Sequence, residues 1–305
     1  MGSQTSTKLP TNAVWLITGC SSGMGKELAR HVVSQGQRVV ATARKVSDLS
    51  FLPDNSSAIL KLPLDVVDTQ QIKETFAQAI KTFGQVDVVV NNAGYGLLGE
   101  FEGTADAPAR HQFEVNFWGV ANVTREALHV LRDLNPPGQG GTIAQVSSVG
   151  GYVGTPLASI YQASKFAVEG LTEVISKETD PAWNIKFLIF EPGAVATDWS
   201  GRSMVMVEQH PAYKAPHLGG NQMRAYKDNL KDVGSDPAVV ASVMFNAVKT
   251  GNGGRLRLPL GADAWGLMRA DVTEMDKTLT ACREISESTK KNSDPRKHGD
   301  LAFLN

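Results

Sequence analysis

Residues 13–25 read Ala-Val-Trp-Leu-Ile-Thr-Gly-Cys-Ser-Ser-Gly-Met-Gly, an apolar run that breaks into a glycine-rich turn. The run 13–17 has the character of a parallel strand buried on both faces. Beyond the turn, Leu28, Val32 and Val33 mark an amphipathic helix that ends near Gly36. Residues 38–42 supply a second strand, so this segment is a βαβ unit. A turn of this composition in this place is a phosphate site. Glycines let the backbone approach closely, and the helix N-terminus offers free N–H groups and the positive end of a dipole. A glycine-rich turn that holds no ligand is the competing reading, and the position between buried strand and helix argues against it.

The alternation repeats outward from this unit. Residues 58–64 read as a strand running into Asp65-Val66, and 69–83 as a helix with Ile72, Phe76, Ala79 and Ile80 on one face. Residues 86–90 form a strand ending in Asn91-Asn92-Ala93-Gly94. A long helix over 107–134 contains Asn116 and is stopped by Pro136-Pro137-Gly138. Strand 142–146 runs into Ser147-Ser148, a helix carries Tyr161 to about residue 179, and strand 186–190 closes at Glu191-Pro192-Gly193. A helix over 236–250 has Pro237 near its start, 255–259 looks like a last strand, and 262–290 is helical in character. The pattern predicts an α/β fold, a doubly wound parallel seven-stranded sheet covered on both faces.

Size and composition agree with this. A chain of 305 residues with 42% hydrophobic and 20% charged content suits one large soluble domain. A net charge of -1 leaves no electrostatic footprint for nucleic acid or an anionic membrane. Cys20 and Cys282 are too few for a disulfide framework or a zinc cluster, which suits a reducing compartment. No apolar run reaches membrane-spanning length, and the polar start lacks a signal-peptide core, so a cytoplasmic protein is expected. Residues 1–12 read as a flexible leader, 13–290 as a single domain with 199–235 as a flap, and 291–305 as a charged tail.

Residues 147–165 carry the chemistry: Ser-Ser-Val-Gly-Gly-Tyr-Val-Gly-Thr-Pro-Leu-Ala-Ser-Ile-Tyr-Gln-Ala-Ser-Lys. On a helix, Tyr161 and Lys165 share a face. A lysine charge near a phenol favours phenolate and lowers the phenol's pKa, which makes it usable as an acid or base near neutrality. A tyrosine with lysine four residues on is also what composition gives by chance, so the pair takes its meaning from its neighbours.

Those neighbours form a pattern. Thr18-Gly19-x-x-x-Gly23-x-Gly25, Asn91-Asn92-Ala93-Gly94, Asn116, Ser148, Tyr161-x-x-x-Lys165 and Pro192-Gly193 stand in one order and spacing. In this the chain resembles the short-chain dehydrogenase/reductase family over roughly residues 13 to 200. The resemblance implies an oxidoreductase that moves a hydride between NADP(H) or NAD(H) and a carbonyl or alcohol. It implies Tyr161 as general acid or base, with Lys165 holding the nicotinamide ribose and keeping the phenol's pKa low. Ser148 would stabilise the substrate oxygen, and Asn116 would anchor a water that links Lys165 to solvent. Ser147 is the rival serine, and the spacing favours Ser148. For the cofactor, the resemblance implies Gly19, Ser21, Met24 and Gly25 at the diphosphate and adenosine ribose, and Asp65 and Val66 at adenine. It places Asn92, Ala93 and Gly94 on the adenosine side, with Asn91 structural, and Pro192, Val195 and Thr197 at the carboxamide.

The choice of cofactor rests on the end of the second strand, residues 39–45. An acid there would bind ribose hydroxyls and repel a 2′-phosphate, and none is present. Arg44, beside Lys45, has a fork of donors suited to a phosphate, although both also read as ordinary solvated charges. The expectation is NADP(H).

Residues 95–102, 149–157 and the flap after Trp199 are expected to build the substrate pocket. Gly150, Gly151, Val153, Leu157, Trp199, Met204 and Met206 suggest an apolar, adaptable cavity for a medium-sized ketone or aldehyde, though the methionines also read as core filler. Glu191 is polar where the family is often apolar or small, and nothing in the sequence accounts for it. His210 and His217 are read as solvated loop histidines rather than a metal pair, so no metal is expected. The resemblance also implies a homodimer or homotetramer. A non-redox isomerase, dehydratase or cyclase on the same fold is the alternative, followed by a cofactor-sensing binding protein.

Overall fold

Every residue of β1 (Val14–Ile17) is fully buried, because alternate side chains enter two different layers. Trp15 and Ile17 join Leu28, Val39 and Phe245 on one side, while Val14 and Leu16 join Val40, Ile72, Phe76 and Val123 on the other. At roughly 1.5–3 kcal/mol per buried large apolar side chain, such two-faced strands dominate the stability of the fold. The chain is described by a computed structural model over residues 9–197, 201, 203–226 and 233–289.

β1 pairs in parallel with β2 (Arg38–Ala43) and with β4 (Val88–Asn91). β3 (Ile59–Pro63), β6 (Gly141–Val146), β7 (Ile185–Pro192) and β9 (Arg257–Leu260) complete a seven-stranded sheet in the order β3-β2-β1-β4-β6-β7-β9. The order reverses at β1, which opens a crevice at the strand C-termini between β1 and β4. Helices α1 (Gly23–Ser34) and α7 (Pro237–Thr250) cover the Trp15 face, where the Trp15 and Phe245 rings stack 5.2 Å apart. Helices α2 (Thr69–Phe83), α4 (Val120–His129) and α5 (Ser159–Glu178) cover the other.

Local signals set these boundaries. Asp68 caps α2 by accepting from the N–H groups of Gln70 and Gln71, and Gly84 ends it at φ 80°. Asp236 caps α7 at Ala238 N–H, with Pro237 in the first turn. The long helix expected over 107–134 is not uniform. α3 (Asp106–Phe113) passes through a π-helical turn, Glu114–Gly119, into α4, which widens again at Val130–Leu134. The π turn lets Gly119 lie against Val66, where a Cβ would come 2.7 Å from Val66 Cγ2.

One further difference concerns the flap. β5 (Gly96–Leu98) and β8 (Met204–Met206) pair in parallel as a separate two-stranded sheet, and α6 (Gly219–Tyr226) follows. Three-residue strands carry too little alternation to be read from sequence. The last helix, α8 (Ala262–Ser288), buries only Ala264. Trp199, the start of the leader, residues 1–8, and the tail 291–305 lie outside the described residues.

Candidate active site

The glycine turn sits at the C-terminal end of β1, over the crevice. Gly19 and Gly23 have φ of 71° and 58°, a region that side chains disfavour. Gly25 is buried, and a Cβ on it would run into the Asn92 amide and lie 2.6 Å from Gly19 O. Ser22 begins α1 without a side-chain cap, so its hydroxyl takes none of the first N–H groups of the helix. Ser21, Gly23 and Met24 are half-buried around it. The loop after β4 is stitched to this turn. Thr18 Oγ1 accepts from the N–H groups of Asn92 and Ala93, both at 3.0 Å. Asn92 Nδ2 donates to Thr18 O at 2.9 Å and Gly19 O at 3.0 Å. Asn91 instead turns inward, donating to Thr124 Oγ1 at 3.2 Å.

Ser148 lies just beyond β6. Its Oγ accepts from Gly150 N at 3.0 Å and stands 3.5 Å from Pro192 O, and its hydroxyl shares a hydrogen bond with the Tyr161 phenol. Ser147 is buried and points away, toward Glu169 on α5. The choice between the two serines thus has a geometric basis: Ser148 alone reaches the phenol. Lys165 Nζ lies 5.8 Å from the centre of the Tyr161 ring and donates to Val146 O at 2.8 Å. Gly94 closes the group, since a Cβ there would lie 3.7 Å from Lys165 Nζ and 3.2 Å from Asn116 Oδ1.

The electrostatics differ from the sequence expectation in one respect. Burial pushes the Tyr161 phenol above its ordinary pKa, and the Ser148 hydrogen bond opposes this. Burial also brings Lys165 down to about 8, with the Glu169 charge pulling the other way. The lysine charge therefore does not lower the phenol here: its Nζ is turned to the Val146 carbonyl, and desolvation outweighs it.

Asn116, in the π turn, is fully buried. Its side chain accepts from Tyr95 N at 3.1 Å and donates to Tyr95 O at 2.9 Å and Ser164 Oγ at 3.2 Å. The whole amide is committed to protein. Gln112 adds a bond to Tyr95 O at 2.8 Å. At the far end of the crevice, Arg44 is exposed and makes no ion pair among the described residues. Asp65 is turned back on itself, accepting from Val67 N at 3.2 Å, and Val66 is buried beneath Gly119. Thr197 stands over Gly23, within 3.7 Å of a Cβ placed there, and Val195 bridges to Ser235.

The substrate side gathers the predicted segments. Leu157, at a strained φ of 68°, gives its carbonyl to Gly99 N at 2.8 Å and packs against Gly220 of α6. Gln162 holds the 149–157 loop through Thr155 N and Oγ1, both at 2.8 Å. Gly150 and Gly151 are buried, and Val153, Met204 and Met206 are half-buried. A buried Glu100 carboxylate ties the flap down, accepting from Arg224 Nη2 at 2.8 Å and His210 N at 3.3 Å. His210 Nδ1 caps its own turn at Ala212 N. No local sequence signal marks Gln162, Glu100 or Arg224, since each acts on a distant segment. The same is true of Glu191, whose neighbours Glu169 and Arg257 come from α5 and β9.

With this geometry, the crevice pairs a glycine-lined turn at a helix N-terminus with a phenol, a hydroxyl and an ammonium. A family model described as short chain dehydrogenase matches residues 13–206. The oxidoreductase calM of Penicillium decumbens is 39% identical over 285 residues, covering 92% of this chain and 93% of that protein. A short-chain dehydrogenase structure from Streptomyces avermitilis superposes with a TM-score of 0.81 at 33% identity, covering 92% of this chain and 99% of that one. Structures under 25% identical share the fold, and they include forms holding NADP and forms holding NAD.

Proposed function

The chain belongs to the short-chain dehydrogenase family, and from that membership we propose an NADP(H)-dependent carbonyl reductase or alcohol dehydrogenase. The observation that carries this reading is the Ser148–Tyr161 hydrogen bond with Lys165 beside the ring, at the open end of a dinucleotide crevice. The crevice fits the cofactor. The N–H groups that open α1 and the turn Gly19, Ser21, Met24 and Gly25 would hold the diphosphate, at a point where a Cβ on Gly25 would fill the cradle. Asp65 and Val66 would border adenine, Asn92, Ala93 and Gly94 the adenosine side, and Pro192, Val195 and Thr197 the carboxamide. Arg44, exposed at the end of β2, would grip a 2′-phosphate. When bound, the nicotinamide supplies the hydride.

The protein's own groups handle the proton. Tyr161, kept protonated by burial, donates its hydroxyl proton to the substrate oxygen during reduction and takes it back in oxidation. Ser148 donates a hydrogen bond to the same oxygen and stabilises its developing charge. Lys165 binds ribose hydroxyls and returns a proton to the phenol. Asn116, whose amide is held by Tyr95 and Ser164, would anchor a water that links Lys165 to solvent. Half-buried Met204, Met206 and Val153 make the substrate side apolar, suited to a medium-sized ketone or aldehyde. The protein is proposed to work in the cytoplasm as a homodimer or homotetramer.

Oxidation of NADPH across a panel of ketones and aldehydes, followed at the nicotinamide absorbance, tests the reading. Tyr161→Phe should lower kcat by ~10³-fold or more while NADPH still binds. Equal turnover by the variant, or no turnover of any carbonyl by the wild type, would overturn it.

A further inference from the structure

Glu191 of β7 is fully buried, and neither oxygen of its carboxyl group accepts a hydrogen bond. Arg257, at the start of β9, is its nearest cation. The single Nε–H of Arg257 is committed to Glu169 Oε2 at 3.0 Å, and Nη2 donates to Glu173 Oε2 at 2.8 Å. Arg257 Nε therefore stands 3.6 Å from Glu191 Oε1 with no hydrogen left for it. Lys165 Nζ is directed to Val146 O and makes no bond to Glu191 among the described residues. On the β6 side, Ser147 N donates to Phe190 O at 2.8 Å, and its hydroxyl lies toward Glu169.

An ionised carboxylate with no donor and no access to water is strongly disfavoured, and a proton removes the difficulty. We propose that Glu191 is held as a neutral carboxylic acid beside the Glu169 carboxylate, and that this pair, clamped by Arg257, is a positioning element for Lys165 and the Pro192-Gly193 turn. Two such carboxyls titrate as a unit. The electrostatics run the same way: burial and the like charge of Glu169 push Glu191 up to about 8 against the pull of Arg257. The charged groups around it are Glu169, Glu173 and Lys165 on α5 and Arg257 on β9.

Its place in the fold gives the pair its role. Glu191 is bonded to Pro192, whose carbonyl faces Ser148, and Glu169 is one helical turn beyond Lys165 and acts on its charge. Arg257 thus links the ends of β7 and β9 to the middle of α5, with Glu191 inside the cluster. The role through Lys165 rests on the reductase reading; the proton on Glu191 does not.

The test therefore begins without substrate. Infrared difference spectra of the full-length protein should show the carbonyl stretch of a protonated carboxylic acid at pH 7. The band should be absent in Glu191→Gln and should titrate away in the wild type near pH 8. The melting temperature of Glu191→Gln relative to wild type should rise by about 5 °C between pH 5 and pH 8, because only the wild type must take up a proton at residue 191 on folding. With a reducible carbonyl in hand, Glu191→Ala should lower kcat/KM by ~10-fold and Glu191→Gln should restore most of it. No acid band at pH 7, or parallel pH slopes in wild type and Glu191→Gln, overturns the neutral acid. An acid band with full activity in Glu191→Ala overturns the positioning role. If Glu191→Gln does not fold, the titration of the wild-type band decides. If no carbonyl is reduced at all, the reductase reading falls while the band still reports on Glu191.

Discussion

Burial pushes both Tyr161 and Lys165 toward their neutral forms, the phenol upward and the ammonium down to about 8. A phenol that keeps its proton is suited to donate it, which favours the reductive direction at neutral pH. On the proposed NADP(H) reading, the cofactor choice is also a single-residue matter. Arg44→Ala should weaken NADPH binding by ~10-fold and change NADH binding less than twofold, because only the 2′-phosphate gains from a guanidinium fork. Fluorescence titration of both dinucleotides checks this, and equal losses would remove the role. Tyr161, Lys165 and Ser148 were legible because contacts made within one helix and its preceding turn are written as spacing. Glu191 was not, since residues 169 and 257 reach it only through sheet order. The phenol's shift was misread for a related reason: spacing shows that a lysine is near, not that its Nζ turns to Val146 O.

Elements position these residues, and one of them depends on a single clasp. Buried Glu100, next to β5, accepts from Arg224 of α6 and from His210 N–H. Burial alone would raise the Glu100 pKa, and these bonds hold it below its ordinary value instead. Removing Arg224 leaves a buried carboxylate short of its charged donor, a loss of roughly 1–3 kcal/mol for the segment. Arg224→Ala should therefore speed limited proteolysis within 203–226 several-fold while leaving the melting of the sheet domain nearly unchanged. A protected flap in the variant would show that the clasp does not hold it. A second element test concerns α7, where Asp236→Ala should cost ~1 kcal/mol of global stability in denaturant unfolding by removing the cap at Ala238. The strands and helices of the main sheet were readable because two-faced burial and amphipathic periods repeat along the chain. The β5–β8 pair was not, because its partners are about three residues each and lie far apart in sequence. The π turns in the 107–134 helix likewise answer to packing, with Gly119 against Val66, rather than to propensity.

Summed over the molecule, the buried titratable groups set an unusual dependence of stability on pH. Glu191, at about 8, and Glu169 have pKa values raised above 4.5, so the fold holds protons that the unfolded chain has released. Stability from Glu191 is complete below 4.5 and is lost as pH rises toward about 8, and Glu169 acts in the same direction. Lys165 acts in the opposite sense. Lowered from 10.5 to about 8, it is neutral in the fold while the unfolded chain is still charged, so stability rises with pH above about 8. Cys20, raised from 9.0 to about 12 by burial, then lowers stability once an unfolded thiol can ionise above 9.0. His31, lowered from 6.5 by burial, offsets part of the fall through the middle of the range. At the acid end, Glu100 and Glu173 lie below 4.5, and their protonation costs stability. The melting temperature should therefore peak near pH 5, fall by several degrees to a shallow minimum near pH 8, and recover slightly toward pH 9. Scanning calorimetry from pH 4 to 10 measures the curve, and Lys165→Met should erase the recovery while keeping the fall. A melting temperature flat from pH 5 to 9 would mean that Glu191 and Glu169 are ionised in the fold, with water supplying the donors that the buried carboxylates would then need.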